Sequence, residues 1–514
     1  MDELRYAIRS AIKFIPELRT VHIVSPDFPA WSLGPMAEEI SRETDQSQRQ
    51  ILAHLHDTWD SWTAADGSAR VGQKPLWLDT NAKEVIAGAL AEKGGEKTKG
   101  DSNSIKGPQL RLHHDWSVFS PAGLEGDHKA NILRKHIALP TFNSMAVESV
   151  LDGSTLPGLA DTSLAANDDF FLLRPLSAAD VVSPLYGTLL RFQDDLVVEG
   201  QSQQRWTSGG EWPGLKFASH LLDERFGHRS RRYPSHVHRA MSRSLLHEAR
   251  LMFREELART AKARFRGVGP NLVNHFLTFN MIIERHREAV LWIYFLMTLD
   301  ANRDGQIDPS EWQFMRETMR NSPEGAPKNT SSVFLPRRST IDAKRLDQNH
   351  LDRGMQPSQS SKYLFSSNDG YPVAKLARQA FQTWSYGPQE RPRPQGSKVG
   401  WPIFLPEKEK PVDTVACIIN WDACLAPIGV LDKGNERQSE ALFKRFAFEK
   451  PSCGDCCEYH PHGRLQPFRP LTCFQRIISA DSSSPTKRRA RPGCRLAFRK
   501  CENAGRRVVR NDFL

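Results

Sequence analysis

The stretch Leu299–Trp312, LDANRDGQIDPSEW, constrains the fold more tightly than any other part of the chain. Counted from Asp300, oxygen-bearing side chains fall at positions 1 (Asp300), 3 (Asn302), 5 (Asp304), 9 (Asp308) and 12 (Glu311). Gln306 at position 7 offers its backbone carbonyl, Gly305 at position 6 permits a sharp turn, and Ile307 at position 8 is an apolar residue placed to pair with a partner loop. A hard cation takes about six to eight oxygens at ~2.3–2.6 Å, and a twelve-residue loop closed by a bidentate Glu supplies them. The spacing therefore predicts one EF-hand with Ca2+ as its cofactor. Such a loop obliges helices on both sides, and REAVLWIYFLMTL and EWQFMRETMR carry the required apolar periodicity. The alternative is an acidic Asx-rich turn between helices. Neither reading says what the chain does.

At 514 residues the chain has room for several domains, and 39% hydrophobic with 25% charged residues suffices for a sizeable core. The net charge of +10 suggests a nucleic-acid partner until its location is considered. Much of it comes from KRRARPGCRLAFRKCENAGRRVVR near the end, ten basic residues against one acid. No aromatic interleaving or DNA-binding motif accompanies this run, so it reads as a solvated tail, and no nucleic-acid partner is expected. All eight cysteines fall in the last fifth of the chain, from Cys417 to Cys501. CGDCCEYHPH offers Cys453, Cys456, Cys457, His460 and His462 to zinc at a spacing that fits no common finger; disulfides in an oxidising lumen are the favoured alternative. The longest apolar run, AVLWIYFLMTL, has 11 residues, too few to span a bilayer, and MDELRYAIRS shows no signal peptide.

Taken in order, the first helix places Leu4, Ile8, Ala11, Ile12 and Ile15 on one face, and RTVHIV follows as a β-branched strand. This is an α/β opening. A polar stretch, then VGQKPLWLD, then a charged Gly/Ser-rich segment lead to the strand-like LRLHHDWSVF. HIALPTFNSMAVESVL puts Asn143 before a helix containing Glu148, and ANDDFFLLRPL sets Asp168 and Asp169 beside apolar sequence. Two carboxylates at a strand end suit a divalent ion that bridges diphosphate oxygens. The basic segment from His228 to Gly267 places His236 and His238 at the mouth of a long helix and Arg266 at its end, a pattern compatible with a general base and a phosphate clamp.

DELRYAIRS, RTVHIV, GQKPLWLD, LPTFNSMAVES and NDDFFLLRP resemble, in order and wording, the second conserved region of the Stealth family of sugar-phosphate transferases. Residues 236–266 are similar to its third region. SHVHR stands where the family usually has AHMPH, so His236 keeps the first histidine while His238 replaces the proline. CIINWDACL resembles the fourth region's CINDD, with Asn420 and Asp422 retained and Trp421 in place of the first Asp. Family members normally begin with a strand reading like DVVYTWVDG, which this chain lacks; it is expected to be an N-terminally truncated product. A membrane anchor is expected only in the full-length protein.

The resemblance implies an α/β fold: a mixed-sheet nucleotide-sugar transferase core, a helical segment carrying the EF-hand, and polar insertions. It divides the chain into 1–33 (start of the second region), 34–71 (polar insertion), 72–230 (remainder of the second region), 231–285 (third region, helical), 286–320 (EF-hand), 321–400 (disordered linker), 401–460 (fourth region) and 461–514 (basic tail). It implies transfer of a sugar-1-phosphate from a UDP-sugar donor to a hydroxyl of a glycan acceptor, with release of UMP. In that reaction His236 is the base, Arg266 holds phosphoryl oxygens, Asp168 and Asp169 hold Mg2+ or Mn2+, and Asn143, Glu148 and Asp422 contact substrate. The wording is similar to glycan xylosylphosphotransferases and, as a second candidate, GlcNAc-1-phosphotransferases, and it implies location in the Golgi lumen or membrane. The alternatives are a catalytically inactive Stealth-like protein and a calcium-binding interaction protein, in which Asp168, His236 and Arg266 would lie scattered.

Overall fold

The apolar face of helix α1 (Glu3–Phe14) organises the N-terminal part of the computed structural model. Ile8, with Leu4 and Ile12, packs on Ile23 of strand β1 (Thr20–Ser25) and Leu110 of β5 (Gln109–His114). Ile15 and Ala11 reach instead to Leu176, Val181 and Ala240. One helical stripe thus serves two neighbouring cores. β1 and β5 pair in parallel, from Thr20 opposite Gln109 to Ser25 opposite His114. Parallel neighbours need a long crossover, and this is the α/β arrangement expected of the chain. The structure describes residues 3–32, 59–75, 77–78, 108–121, 127–151, 156–183, 187–202, 210–234, 236–266, 271–318, 330–334, 350–357, 415–425 and 438–458, with isolated positions at 42, 44–47, 50 and 347–348. All belong to one unit that ends at Phe468; the basic tail lies outside the described residues.

The sheets are small, of two or three strands among the described residues. Strands β2 (Asp27–Pro29), β3 (Trp59–Thr63) and β4 (Ala69–Gln73) form one in the order β2-β4-β3. Much of this hairpin falls in the stretch read as a polar insertion, and it is stitched inward by charge. Arg70 Nε donates to Asp27 at 2.7 Å, and the guanidinium lies 3.9 Å from the Trp116 ring centre. Trp116 belongs to helix α2 (Asp115–Val118), which follows β5 directly; α3 (His128–Ala138) and α4 (Ser144–Val150) come next.

The stretch before Asn167 forms β6 (Thr162–Ala165), but its hydrogen-bonded neighbour is neither β1 nor β5. After the short pair β7 (Val182–Ser183) and β8 (Gly187–Thr188), β9 (Phe192–Val198) and helix α5 (Trp212–Phe226), the chain enters β10 (Arg231–Pro234) and β11 (Arg239–Ser242). β11 pairs antiparallel with β6, Arg239 opposite Ala165, and β10 pairs with β9. The third conserved region therefore opens on strands, not at a helix mouth. Pro234 and the fully buried run from Arg239 to Ser242 suit edge-to-edge pairing, and helix α6 (Arg243–Met252) starts only after them, followed by α7 (Arg254–Lys262).

Helix α8 (Asn274–Ile293) runs through the middle of the fold and widens into a π turn at Tyr294–Leu299 before the acidic loop and α9 (Pro309–Thr318). Ile307 is 1% exposed and packs in a core with Phe295, Trp421 and Phe446. The partner of the loop is not a second loop of its kind: Gln306 bridges Gln438, and Ser439 N donates to Gly305 O, just where helix α11 (Ser439–Lys444) begins. Part of the stretch read as a linker is ordered here. β12 (Thr330–Phe334) pairs with β13 (Val415–Asn420), which leads into α10 (Trp421–Leu425). Cys424 of α10 forms a disulfide with Cys453 of helix α12 (Pro451–Glu458), so Cys453 is not a zinc ligand.

The CGDCC motif on α12 carries a different chemistry from the one its cysteines suggest. Asp455 is 2% exposed and accepts from Arg287 and, at 3.1 Å, from Arg229. Arg229 and Arg231 share Glu284 at 3.2 and 3.1 Å, and Arg231 also holds Asp223. Arg287 donates further to the carbonyls of Ala447, Phe446 and Pro451. Gly454 is required beside Asp455: a Cβ there would lie 2.6 Å from Arg287 Nη2 and would strike the carbonyl of Phe446. Asp455→Ala would leave Arg229 and Arg287 buried without their shared counter-ion, at a cost of about 3–5 kcal/mol. Urea unfolding is expected to show that loss, with Gly454→Ala also destabilised; wild-type stability in Asp455→Ala would remove the network from its proposed place in the fold.

Candidate active site

The site is assembled where the start of α4 meets the segment that follows α7. Asn143 caps α4, its Oδ1 accepting from Met145 N at 3.2 Å, while its Nδ2 donates to Ala263 O at 2.9 Å. Phe142 N donates to Arg264 O, Arg264 Nε to Pro140 O, and the Phe142 and Phe265 rings stack at 5.4 Å. These bonds lock two distant pieces of chain side by side. Their product is the position of Arg266, whose Nη2 donates to Ser144 Oγ at 2.6 Å and whose Nη1 lies 3.9 Å from Glu211. Asn143, predicted to contact substrate, is 1% exposed with both ends of its amide engaged by backbone. It positions Ser144 and Arg266 instead.

Glu148 lies one helical turn beyond Ser144, and its backbone carbonyl accepts from Asn274 Nδ2 at 2.9 Å. Burial raises its carboxyl pKa, against the opposing pull of Arg239 first, then Arg266 and His236. The last two are the residues that sequence reasoning assigned to phosphate and proton, and the fold gathers them around one carboxyl. His236 sits in the tight connection between β10 and β11 and is exposed. His238, two residues on, is buried; burial first, and then Arg191, lowers its pKa to about 4, so its imidazole is neutral at neutral pH. Of the two histidines, only His236 is accessible to a substrate.

Asp168 and Asp169 form an exposed turn at the end of β6. The pairing of β6 with β11 sets this turn beside the β10–β11 connection. The ring of Phe170 completes the link, edge-on to His236 at 5.0 Å and 5.7 Å from His238. Two adjacent exposed carboxylates fit a hard divalent ion that keeps substrate oxygens and waters as its other ligands. Among the described residues no group of three or more His, Cys, Asp or Glu is arranged to hold a metal. Asp422 is placed differently. It is exposed on α10, whose Trp421 and Cys424 pack in the core that includes Ile307 of the acidic loop.

Three side chains of the site were not singled out from the sequence. Arg239 follows His238 directly and is 9% exposed; Tyr233 on β10 is near it, and its phenol pKa is raised by burial and then by Glu211. His275 on α8 is held neutral, its pKa pushed down to about 3 by burial and then by Arg239. Arg239 stood at the edge of a motif already in view. Nothing in the spacing of Tyr233 or His275 points to either.

In the acidic loop, Asp300 is 2% exposed and accepts from Asp304 N and Gly305 N at 3.1 and 3.0 Å. Glu311 reaches back to Ala301 N at 2.7 Å, Asn302 Oδ1 accepts from Asp304 N, and Asp304 Oδ1 accepts from Gln306 N. Asp308 caps α9 through Ser310 N and Glu311 N. Gly305 has φ +84°, the left-handed turn that its position demands.

With this geometry in place, the comparisons with known proteins acquire a location. The family model described as Stealth protein CR3, conserved region 3, matches residues 235–284. That span begins at the His236 connection, contains Arg239, Arg266 and His275, and ends on Glu284 of the buried ion network. Over this stretch the chain matches the Stealth family. A 3-O-alpha-D-mannopyranosyl-alpha-D-mannopyranose xylosylphosphotransferase of Cryptococcus neoformans var. neoformans is 28% identical over 88% of this chain and 54% of its own length. The exopolysaccharide phosphotransferase CpsY of Mycobacterium tuberculosis is 38% identical over 25% of this chain and 24% of its own. One from Nocardia farcinica is 35% identical over 29% of each. The chain spans about half the length of the xylosylphosphotransferases it matches. No helix among its described residues is long and apolar enough to cross a membrane.

One buried and two half-buried histidines make the chain acid-labile. His113 is held down to about 4 by burial and then by His22, alongside His238 at about 4 and His275 at about 3. Each binds a proton more readily unfolded than folded, so stability is complete above about pH 6.5 and falls as the pH drops through the window to about 4. At about 1.4 kcal/mol per pH unit, His238 alone would remove roughly 3 kcal/mol by pH 4. Urea midpoints measured from pH 7 to 4.5 are expected to fall, and less steeply in His238→Gln. A flat profile in the wild type would contradict the assignment.

Proposed function

We propose that this chain forms part of an enzyme that transfers a sugar-1-phosphate from a UDP-sugar to a glycan hydroxyl and releases UMP. The observation that carries the reading is the convergence of His236 and Arg266 on Glu148, next to the turn that bears Asp168 and Asp169. His236 accepts the proton of the acceptor hydroxyl as its oxygen forms a bond to the β-phosphorus, and the bond from that phosphorus to the bridging oxygen breaks with UMP departing. Arg266, anchored by Ser144 and Glu211, stabilises the phosphoryl oxygens as charge shifts among them. Asp168 and Asp169 would hold Mg2+ or Mn2+, which would supply positive charge to offset that of the diphosphate. Support from outside the geometry comes from the phosphotransferase names of the matching proteins. A calcium-binding interaction protein would need none of this convergence.

The oxygen set of the acidic loop, its left-handed Gly305 and its helical flanks support Ca2+ binding at Asp300, Asn302, Asp304, Gln306, Asp308 and Glu311. The bridge from Gln306 to Gln438 supports a structural role for such a site, since it joins the acidic loop to the fourth region. The Cys424–Cys453 disulfide is consistent with an oxidising compartment, and we place the protein in the Golgi lumen or membrane.

In the full-length protein, His236→Ala is expected to reduce UMP release by about 10²–10⁴-fold with donor affinity nearly unchanged, because a base acts on the acceptor hydroxyl. Arg266→Ala is expected to weaken both turnover and donor binding. Asp168→Asn should act first on metal-dependent donor binding. Full UMP release in a His236→Ala, His238→Ala double variant would refute a histidine base.

For the loop, calorimetric titration of the chain is expected to show a calcium heat that Asp300→Ala and Glu311→Ala each abolish, because either change removes a charged ligand. The absence of such a heat in the wild type would leave the loop a turn stabilised by its own hydrogen bonds.

A further inference from the structure

The rings of Phe142 and Phe265 stack on each other, 5.4 Å between centres and 12° between planes, yet Phe142 is 62% exposed and Phe265 53%. Parallel rings at that centre distance are offset, so together they present a stepped apolar ledge wider than one ring. Backbone bonds fix the ledge in place. Phe142 N donates to Arg264 O at 2.8 Å, Arg264 Nε to Pro140 O at 2.9 Å, and Asn143 Nδ2 to Ala263 O at 2.9 Å. None of these bonds uses a phenylalanine side chain, so the join between the two segments does not require the rings. Two large apolar side chains held stacked and open to solvent mark a binding surface.

The same two segments carry the phosphate clamp. Arg266 follows Phe265, and its Nη2 donates at 2.6 Å to the hydroxyl of Ser144, two residues after Phe142. A ligand ring lying on the ledge is therefore beside whatever anion Arg266 holds. In the transfer reaction the acceptor sugar ring is joined directly to the oxygen that attacks phosphorus, whereas the uracil of the donor is separated from that phosphorus by a second phosphate and the ribose. Uracil is also read by hydrogen bonds along its edge, and Phe142 N, Arg264 O and Pro140 O are already engaged with each other. The C–H face of a sugar needs only the face of a ring. Glu211, 3.9 Å from Arg266 Nη1 and 41% exposed, adds a carboxylate able to accept from sugar hydroxyls. An acceptor glycan must run on into solvent, as the exposure of both rings permits, while a donor sugar ends at its own ring. We propose that Phe142 and Phe265 form a carbohydrate subsite, an aromatic ledge on which the C–H face of the acceptor sugar lies with its hydroxyl toward the anion held by Arg266. The acceptor role rests on the transfer reading above; sugar binding by the rings is measurable without it.

The test is saturation-transfer NMR on the full chain, irradiating aromatic protons in the presence of maltotriose, cellotriose or mannotriose, with UMP run in parallel. Transfer to sugar C–H protons is expected for at least one trisaccharide, reduced about 5- to 10-fold in Phe142→Leu, Phe265→Leu and retained in Phe142→Tyr, Phe265→Tyr, because leucine keeps the apolar contact but removes the ring face. No transfer to any of the three sugars, or equal transfer in the folded leucine variant, would overturn the proposal. So would a UMP signal that falls in that variant while the sugar signal stays. Where the double leucine variant does not fold, as judged by circular dichroism, either single variant decides by the same readout. In the transferase assay the leucine variant is expected to raise the acceptor KM about 10-fold with kcat and donor KM nearly unchanged. A loss of kcat or of donor affinity with the acceptor KM unchanged would make the pair a support for Arg266 and refute the subsite. Wild-type protein that binds a trisaccharide but releases no UMP would sink the transfer reading and leave the carbohydrate site standing; UMP release with an unaltered acceptor KM in the leucine variant would do the reverse.

Discussion

The fold depends on a buried chain of charge that runs from Asp455 through Arg229 and Arg287 to Glu284, Arg231 and Asp223. Each arginine in it answers to more than one acceptor, and Arg287 is finished by three backbone carbonyls. Buried ions are costly to desolvate, so a network of this kind holds only when its members are satisfied together. It gathers the end of α5, β10, the middle of α8 and α12 at one point, four elements spread over more than two hundred residues of chain. The Cys424–Cys453 disulfide closes the same C-terminal segment onto α10.

The candidate active site stands on two of the elements that this network anchors. β10 carries Arg231 in the network and Tyr233 in the site, two residues apart on the same strand. α8 carries Glu284 and Arg287 below and Asn274 and His275 above. A rigid scaffold under exposed functional groups is the arrangement that precise positioning requires. The exposed groups themselves, His236, Arg266, Asp168 and Asp169, sit on connections where substrate has access.

The electrostatic pattern of the site is one half-buried carboxyl within reach of two arginines, with Arg266 and His236 exposed beside it. Such a surface favours an anionic substrate without neutralising itself in its absence, because Glu148 balances only part of the charge around it. The acidic loop is linked to the other end of α8 through the π turn at Tyr294–Leu299, and the bridge at Gln306–Gln438 joins it to the fourth region. Binding of a cation there would stiffen the C-terminal core around Phe295 and Phe446, on the opposite end of the helix from His275.

What the sequence determined by itself was local chemistry. The alternation of ligand residues from Asp300 to Glu311, the stripe of α1, the strand RTVHIV and the ordered motifs around Asn143, Asp168 and His236 are all patterns of period and spacing, which short segments carry within themselves. Tertiary structure decided everything that depends on partners far apart in the chain. It paired β6 with β11 in place of β1, because the buried strand at Arg239–Ser242 arrives some seventy residues later. It engaged both ends of the Asn143 amide with backbone, made Asp455 the working residue of a motif that reads as cysteine chemistry, and set Asp422 on a helix whose Trp421 and Cys424 pack in another core. It also brought Tyr233 and His275 within the electrostatic reach of Arg239, since a charge's effect depends on burial and on neighbours in space, and neither is written in the spacing of one segment.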